Sequence, residues 1–221
     1  LGDDRLRYFF AAMLLLDAAV HLFACVNKNL LMLRRVSKCL LMPLLASCYM
    51  LFAREPSSYV IAAILFGFAG DLILLFRPRK WAFPAGILAF AAGHAFYIVS
   101  FIRRFSVTPP WYMLAIFGGI ILASAATLLR YLWKGLPKKL RPPSFLYMMI
   151  IGTMASCAVL FSFYSVSAHR WLSAVGGLLF IASDTMLSID AFHHPIRHRS
   201  ILVMSTYIAA QVLIVSALAF T

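Results

Sequence analysis

Eight runs of about twenty mostly apolar residues fill this 221-residue chain and leave only short breaks between them. A helix needs about 20 such residues to cross the hydrocarbon core of a bilayer, since each adds ~1.5 Å. The runs cover about 7–26, 36–53, 58–76, 82–102, 110–132, 144–165, 170–190 and 200–220. The second is the shortest and carries Pro43, so it fits the pattern least well. REPSS (54–58), RPRK (77–80) and SVTPP (106–110) supply the polar and proline breaks, and the longest break is KGLPKKLRPP (134–143). Backbone polar groups in lipid must be satisfied within the structure. The chain therefore reads as all-α: a polytopic integral membrane protein of eight transmembrane helices forming one transmembrane domain, 1–221. The first run, from about Leu6, reads as a spanning helix rather than a cleaved signal peptide. Since Leu1 is not Met, a few residues are expected to precede it.

Charge then needs an explanation. Lys and Arg number 20 against 7 Asp and Glu, for a net charge of +13. In a soluble protein this balance points to nucleic acid. Here 63% of residues are hydrophobic and no basic folded domain exists, so nucleic acid is excluded and membrane lipids are the expected partners. Arg5, Arg7, Arg54, Arg103, Arg104 and Arg170 fall on one side of an eight-helix topology, and the other fourteen basic residues on the opposite side. Short cytosolic loops concentrate Lys and Arg, so the basic loops are expected to be cytosolic. Trp81, Trp111, Tyr112 and Trp171, near helix ends, read as interfacial anchors. The four cysteines form no CxxC pair and read as small buried apolar residues.

Against this background, carboxylates inside apolar runs stand out. FAGDLILLF (68–76) holds Asp71 and IASDTMLSI (181–189) holds Asp184; Asp17 and Asp190 also fall within or at the end of runs. An ionised carboxylate at the bilayer centre costs about 2.5–3.5 kcal/mol on insertion scales, so each is a functional candidate. The competing reading is an interhelical hydrogen bond, which suits Asp17 and Asp190 better. Asp17 and His21, one helical turn apart, can pair on one helix face.

AGDLIL (69–74) aligns with ASDTML (182–187), four helices further along the chain. This predicts a 4+4 parallel pseudo-repeat with halves of about 1–133 and 144–221. His94 follows Asp71 at the same sequence distance as Tyr207 follows Asp184. Both aspartates come ~20 Å along their helices, in the third of the bilayer nearest the basic side. His94 comes near the midplane, and Tyr207 and Gln211 are ~10 and ~16 Å from the basic side. Lys38 and His21 also approach that side. Tyr207 and Gln211 share one face of the eighth helix, His94 and Tyr97 one face of the fourth. Gly67, Gly70, Gly86 and Gly93 either let helices approach closely or leave space for a substrate chain beside Asp71. His193, His194 and His198 look like a metal tract, but Pro195 and their position at a helix end favour solvent or headgroups. HExxH, GxSxG and a phosphate-cradling glycine loop are absent.

GDLILLF (70–76), GILAFAAGHAFYI (86–98), GGLLFIASDTMLSID (176–190) and YIAAQVLI (207–214), in this order and spacing, resemble the YhhN family, whose vertebrate members are transmembrane lysoplasmalogenases. The likeness runs from about Lys38 to the C-terminus. The family's Lys-Pro pair is altered, with Cys39 after Lys38 and the proline at Pro43. The resemblance implies a membrane hydrolase, often of the endoplasmic reticulum, that cleaves the vinyl ether bond of lysoplasmenyl-choline or -ethanolamine. It implies a lysophospholipid substrate, no metal and no organic cofactor; a second copy of the chain is a candidate partner. Carried over by motif position, the expected site is Asp71, His94, Tyr97, Asp184, Tyr207 and Gln211.

Vinyl ether hydrolysis begins with protonation of the β-carbon, and water then captures the oxocarbenium-like cation. Two carboxylates in different environments, as in glycosidases, supply a proton donor and a counter-charge. Asp71 and Asp184 are the expected pair, with the donor undecided. His94 is the candidate to position water or relay a proton; Tyr97, Tyr207 and Gln211 are candidates to bind substrate. Lys38, or the RPRK loop, would meet the phosphate. Three alternatives stay open: a proton-coupled or solute transporter or channel, a metal-dependent lipid hydrolase, and a non-catalytic lipid-binding protein.

Overall fold

The computed structural model describes residues 2–27, 29–76, 79 and 81–220. They form eight helices: α1 (Gly2–Val26), α2 (Leu31–Phe52), α3 (Ser58–Leu75), α4 (Ala82–Ile102), α5 (Trp111–Leu132), α6 (Arg141–Tyr164), α7 (Trp171–Phe192) and α8 (Arg199–Ala219). All eight are long and apolar enough to cross a membrane, so the protein is an all-α polytopic membrane protein as expected. The described residues contain no strand.

Three starts differ from the sequence reading: α1 begins at Gly2 rather than 7, and α2 and α6 also begin early. Helix α2 begins at Leu31 rather than 36, which puts Arg34 and Arg35 in its first turns. Pro43 lies inside α2 without ending it. A proline removes one helical hydrogen bond, here the one to the Cys39 carbonyl, and packing against neighbouring helices makes this tolerable in membrane helices. Ser47 Oγ donates to the Pro43 carbonyl at 3.0 Å. Helix α6 starts at Arg141, after a single 3₁₀ turn at Lys138–Leu140. Pro142 and Pro143 suit its first turn, where a missing N–H has no intrahelical acceptor to lose.

The helices alternate in direction, so α2, α4, α6 and α8 all start at the end where the basic loops gather. The packing partners agree with a 4+4 repeat. Helix α3 packs most fully on α4, as α7 does on α8; α2 packs on α3 as α6 does on α7; and α4 meets α6 as α8 meets α2. Glycines permit these close approaches. A Cβ on Gly93 would come 3.1 Å from the Ala63 carbonyl, and one on Gly176 would come 3.0 Å from that of Ala210. Cβ atoms on Gly70 and Gly86 would collide with Phe90 and Leu74. Gly70, Gly86 and Gly93 thus serve helix packing rather than space for a substrate chain.

The core lies among α2, α3, α4, α6, α7 and α8, around Tyr49, Ile64, Tyr97, Phe101, Phe161 and Ile214. Leu15, Leu88 and Trp111 point outward, as lipid-facing positions do. Helix α5 is peripheral, with only Ala125 and Leu132 buried. The α5–α6 connection is tightly held at the basic end. A Cβ on Gly135 would sit 1.6 Å from the Phe192 carbonyl oxygen, so only glycine fits. Arg141 donates to the Trp133 carbonyl at 2.9 Å and stacks on its ring.

The expected Asp17–His21 pair does not form. His21 is fully buried and turns to α2, where Nδ1 meets Ser37 Oγ at 2.8 Å, while Nε2 faces Cys25 Sγ at 3.6 Å. Asp190 is structural: it accepts from Arg199 at 2.6 Å and from the Ile196 N–H at 3.1 Å, tying α7 to α8. His193 stacks on Tyr131 at 4.1 Å between ring centroids. Among the described residues, no three His, Cys, Asp or Glu side chains gather as a metal site.

Candidate active site

A cavity of about 330 Å³ opens at the basic end between α2, α3, α4, α6, α7 and α8. Arg34, Arg35 and Arg199 line its mouth, and Lys38, Asp71, Tyr147, Asp184 and Tyr207 line its interior. Phe83, Ile87, Phe90 and Leu187 make the remaining wall apolar. The two aspartates, four helices apart along the chain, therefore face the same space.

Their partners differ. Asp71 is buried on α3, where Lys38 Nζ from α2 stands 3.0 Å from Oδ1 and the Tyr207 hydroxyl from α8 donates to Oδ2 at 2.9 Å. A carboxylate this far from water is ionised at acceptable energy only with such partners. Asp184, on α7, is partly exposed, and Tyr147 of α6 donates a hydrogen bond to its Oδ2. Among the described residues, no Lys or Arg forms an ion pair with Asp184.

Other expected residues stand behind this lining. His94 is buried, with Nε2 3.4 Å from the Tyr147 hydroxyl and its ring edge-on to Phe180 at 4.5 Å. The single Tyr147 proton goes to Asp184, so the phenol oxygen is the acceptor and His94 Nε2 the donor. Nδ1 is then an acceptor, with no hydrogen-bond partner among the described residues. Tyr97 donates to Gln211 Oε1 at 2.6 Å, both of them buried. Gln211 Nε2 and the Tyr207 hydroxyl come 3.2 and 3.6 Å from the place a Cβ on Gly67 would take. Gly67 thus leaves room for a polar row, Tyr97–Gln211–Tyr207–Asp71, that braces Asp71 from below. Phe180 lies edge-on between His94 and Tyr207, at 4.5 and 5.5 Å, and joins the two aspartate networks.

Among the lining residues that escaped the sequence reading are Tyr147, Arg34, Arg35 and Arg199. Tyr147 left a faint signal. Lys38 precedes Asp71, and Tyr147 precedes Asp184, by separations that differ by one helical turn, so both lie on corresponding faces of α2 and α6. Of the RPRK loop, Arg77 and Lys80 lie outside the described residues; Arg79 stacks over the Phe76 ring at 5.4 Å.

An acid-floored cavity with a largely apolar wall and a basic rim at one end of a bundle of eight apolar helices defines the candidate site of an integral membrane protein. The chain belongs to the YhhN family, whose profile matches residues 33–218. It is 30% identical over 180 residues to "Lysoplasmalogenase TMEM86A" of Bos taurus, covering 80% of this chain and 72% of that protein. It is 33% identical over 160 residues to "Lysoplasmalogenase TMEM86B" of Sus scrofa, covering 72% and 62%. Over 164 residues it is 28% identical to a "Lysoplasmalogenase" of Mycobacterium tuberculosis (strain CDC 1551 / Oshkosh), covering 73% and 60%. The chain thus spans between 60% and 72% of these relatives' own lengths. No solved structure is detectably similar to it.

Proposed function

We propose that this protein is a lysoplasmalogenase that hydrolyses the vinyl ether of lysoplasmenyl-choline or -ethanolamine, with Asp184 as proton donor and Asp71 as counter-charge. One observation carries the assignment: two intramembrane aspartates face one cavity, one against an ammonium and the other against a phenol. Lys38 Nζ, 3.0 Å away, is the cation paired with Asp71. Asp184 has no such cation and is the member that holds a proton. With Oδ2 engaged by Tyr147, Oδ1 is the oxygen that presents the proton to the cavity.

Asp184 transfers its proton to the β-carbon of the vinyl ether, using the C=C electron pair to form the new C–H bond. Positive charge develops on the α-carbon and ether oxygen, opposite the Asp71 carboxylate. Water from the mouth adds to the α-carbon, and Asp184, now a carboxylate, takes the water's proton. The hemiacetal then breaks its bond to the glycerol oxygen, and the hydroxyl proton moves to that oxygen. The products are a fatty aldehyde and a glycerophospho-base, and Asp184 ends protonated as it began. General acid catalysis of this kind is worth about 10²–10⁴ in rate.

The remaining residues support these steps. Tyr147 orients Asp184, and His94 orients Tyr147 as a positioning residue. Tyr97 and Gln211 hold Tyr207 against Asp71, and Tyr207 also faces the substrate. Lys38 lines the cavity, but its ammonium is engaged by Asp71. We therefore assign the substrate phosphate to Arg34 and Arg35, whose forked donors suit it. Arg199 is held by Asp190. We place the basic end in the cytosol by the excess of Lys and Arg there, and the protein in the endoplasmic reticulum by its kinship.

Aldehyde release from purified, folded protein tests the assignment. Asp184→Asn is expected to lower kcat about 10²–10⁴-fold, and Asp71→Asn to lower it severely as well. Wild-type rates in either variant would remove the two-aspartate mechanism.

A further inference from the structure

A second cavity lies against the first. It is a groove of about 680 Å³ between α5, α6 and α7, walled by residues such as Phe117, Ile121, Leu128, Ile151, Val159 and Leu178. Its few polar side chains do not make it polar: Thr127 spends its hydroxyl on the Ala123 carbonyl at 2.8 Å. Asp184, Tyr147, Met148 and Ser188 line both cavities. The proposed reacting acid therefore stands where a basic-rimmed, acid-floored space meets a larger and more apolar one.

The substrate has the same division. A lysoplasmalogen is a glycerophospho-base joined to one alkenyl chain, and the bond to be cut lies next to the junction. With the glycerophosphate at the basic rim of the first cavity and the vinyl ether at Asp184, the chain continues into the larger and more apolar space that adjoins Asp184. The groove is that space. Along α6 it runs from Tyr147 to Val159, a rise of ~18 Å. A single chain fills about half of the ~30 Å hydrocarbon core, or ~15 Å, so the lengths match. The outer wall is α5, the least buried helix of the second half, and a Cβ on Gly118 or Gly119 would meet nothing within 4 Å.

We infer that the α5–α6–α7 groove binds the hydrocarbon chain of the substrate and releases the aldehyde sideways into the bilayer, while the water-soluble product leaves through the basic mouth. This rests on the lysoplasmalogenase reading above. Chain-length preference then belongs to the groove, and α5 is the element that must yield for the chain to enter and leave.

Two measurements test it. The first compares kcat/KM for lysoplasmenylcholines carrying octadec-1-enyl and oct-1-enyl chains in wild type, Ser156→Ala and Ser156→Phe. Ser156 lines the groove toward the end far from Tyr147, away from the acids. The phenyl ring is expected to lower the long-chain to short-chain ratio at least about tenfold, the scale on which apolar pockets discriminate, with Ser156→Ala unchanged. An unchanged ratio in a folded Ser156→Phe protein overturns the proposal. So does a shift in the monomer–dimer balance with no change in ratio, which would make a second copy the occupant. The second measurement needs no turnover. A saturated alkyl-ether lysophosphocholine with a diazirine at its chain end is photolysed in the wild-type protein, and the adducts are mapped by mass spectrometry. Adducts near Phe117, Val159 and Leu178 support the groove; adducts confined to other helices sink it. Labelling of the groove without aldehyde release would overturn the enzymatic reading and leave the groove standing. Aldehyde release with labels elsewhere would do the reverse.

Discussion

Asp71 and Asp184 occupy corresponding places in the two four-helix halves, yet their surroundings have diverged. Each lies late on the third helix of its half, and each takes a partner from the preceding helix. For Asp71 that partner is the ammonium of Lys38; for Asp184 it is the phenol of Tyr147. The fourth helices also exchange roles. Tyr207 of α8 bonds Asp71, while His94 of α4 stands behind Tyr147 on the Asp184 side. Corresponding helices thus place two carboxylates at one cavity with unlike surroundings. The difference shows how two like half-sites become asymmetric, and on the proposed mechanism the change of partner from a cation to a neutral donor is what divides labour between two like residues.

The sharpest way to break the comparison is to remove the cation. Lys38→Met leaves the Asp71 carboxylate buried without its counter-charge. Breaking a buried pair from one side costs about 3–5 kcal/mol. Denaturation of the purified protein in detergent should show a loss of that size. The double variant Lys38→Met/Asp71→Asn removes both charges and should recover most of the stability while leaving the enzyme impaired. If Lys38→Met alone is as stable as wild type, Asp71 is not a carboxylate in the folded protein and the division of roles fails.

The same operation on the other half should have a smaller effect. Tyr147→Phe keeps the ring and removes one donor, and such a hydrogen bond is worth about 1 kcal/mol. Stability should fall by about that amount. Turnover should fall about tenfold, since about 1.36 kcal/mol of barrier is a factor of ten, with KM little changed because the phosphate contacts are elsewhere. A Tyr147→Phe loss equal to that of Lys38→Met would mean that Asp184 is also ionised, and the two half-sites would be alike.

Much of this arrangement is legible in sequence, for reasons that also mark the limit. Apolar run length reports on spanning helices directly, because lipid enforces it. Asp71 and Asp184 are visible because a carboxylate in such a run has few innocent explanations. Tyr207 and Gln211 are visible through their one-turn spacing on a single helix. Tyr147 is not, because a tyrosine among apolar residues is ordinary in a membrane helix and only its partner gives it a role. Arg34 and Arg35 look like part of a loop because their charges end the apolar run at 36, and the early start of α2 brings them to the cavity mouth. The Asp17–His21 pair fails for a related reason. Spacing on one helix permits a pair, but the neighbouring helix offers His21 a better partner in Ser37.

The smallest expected effect concerns His94, and it separates positioning from mere packing. Its contact with Tyr147 is 3.4 Å, longer than a strong hydrogen bond. If its role is to hold the phenol against Asp184, His94→Gln should lower kcat only about threefold, roughly 0.6 kcal/mol, with KM unchanged. Its signature is non-additivity. In a Tyr147→Phe background the phenol is already gone, so His94→Gln should change kcat no further; residues acting through one another behave this way. A histidine that only fills space beside Phe180 would instead lose stability by the same amount in both backgrounds, with kcat untouched in each. A histidine that carried protons itself would lower kcat far more than threefold, and would do so with or without the Tyr147 hydroxyl. The double-variant cycle on kcat therefore decides whether the second aspartate works alone or as the end of a His94–Tyr147–Asp184 row.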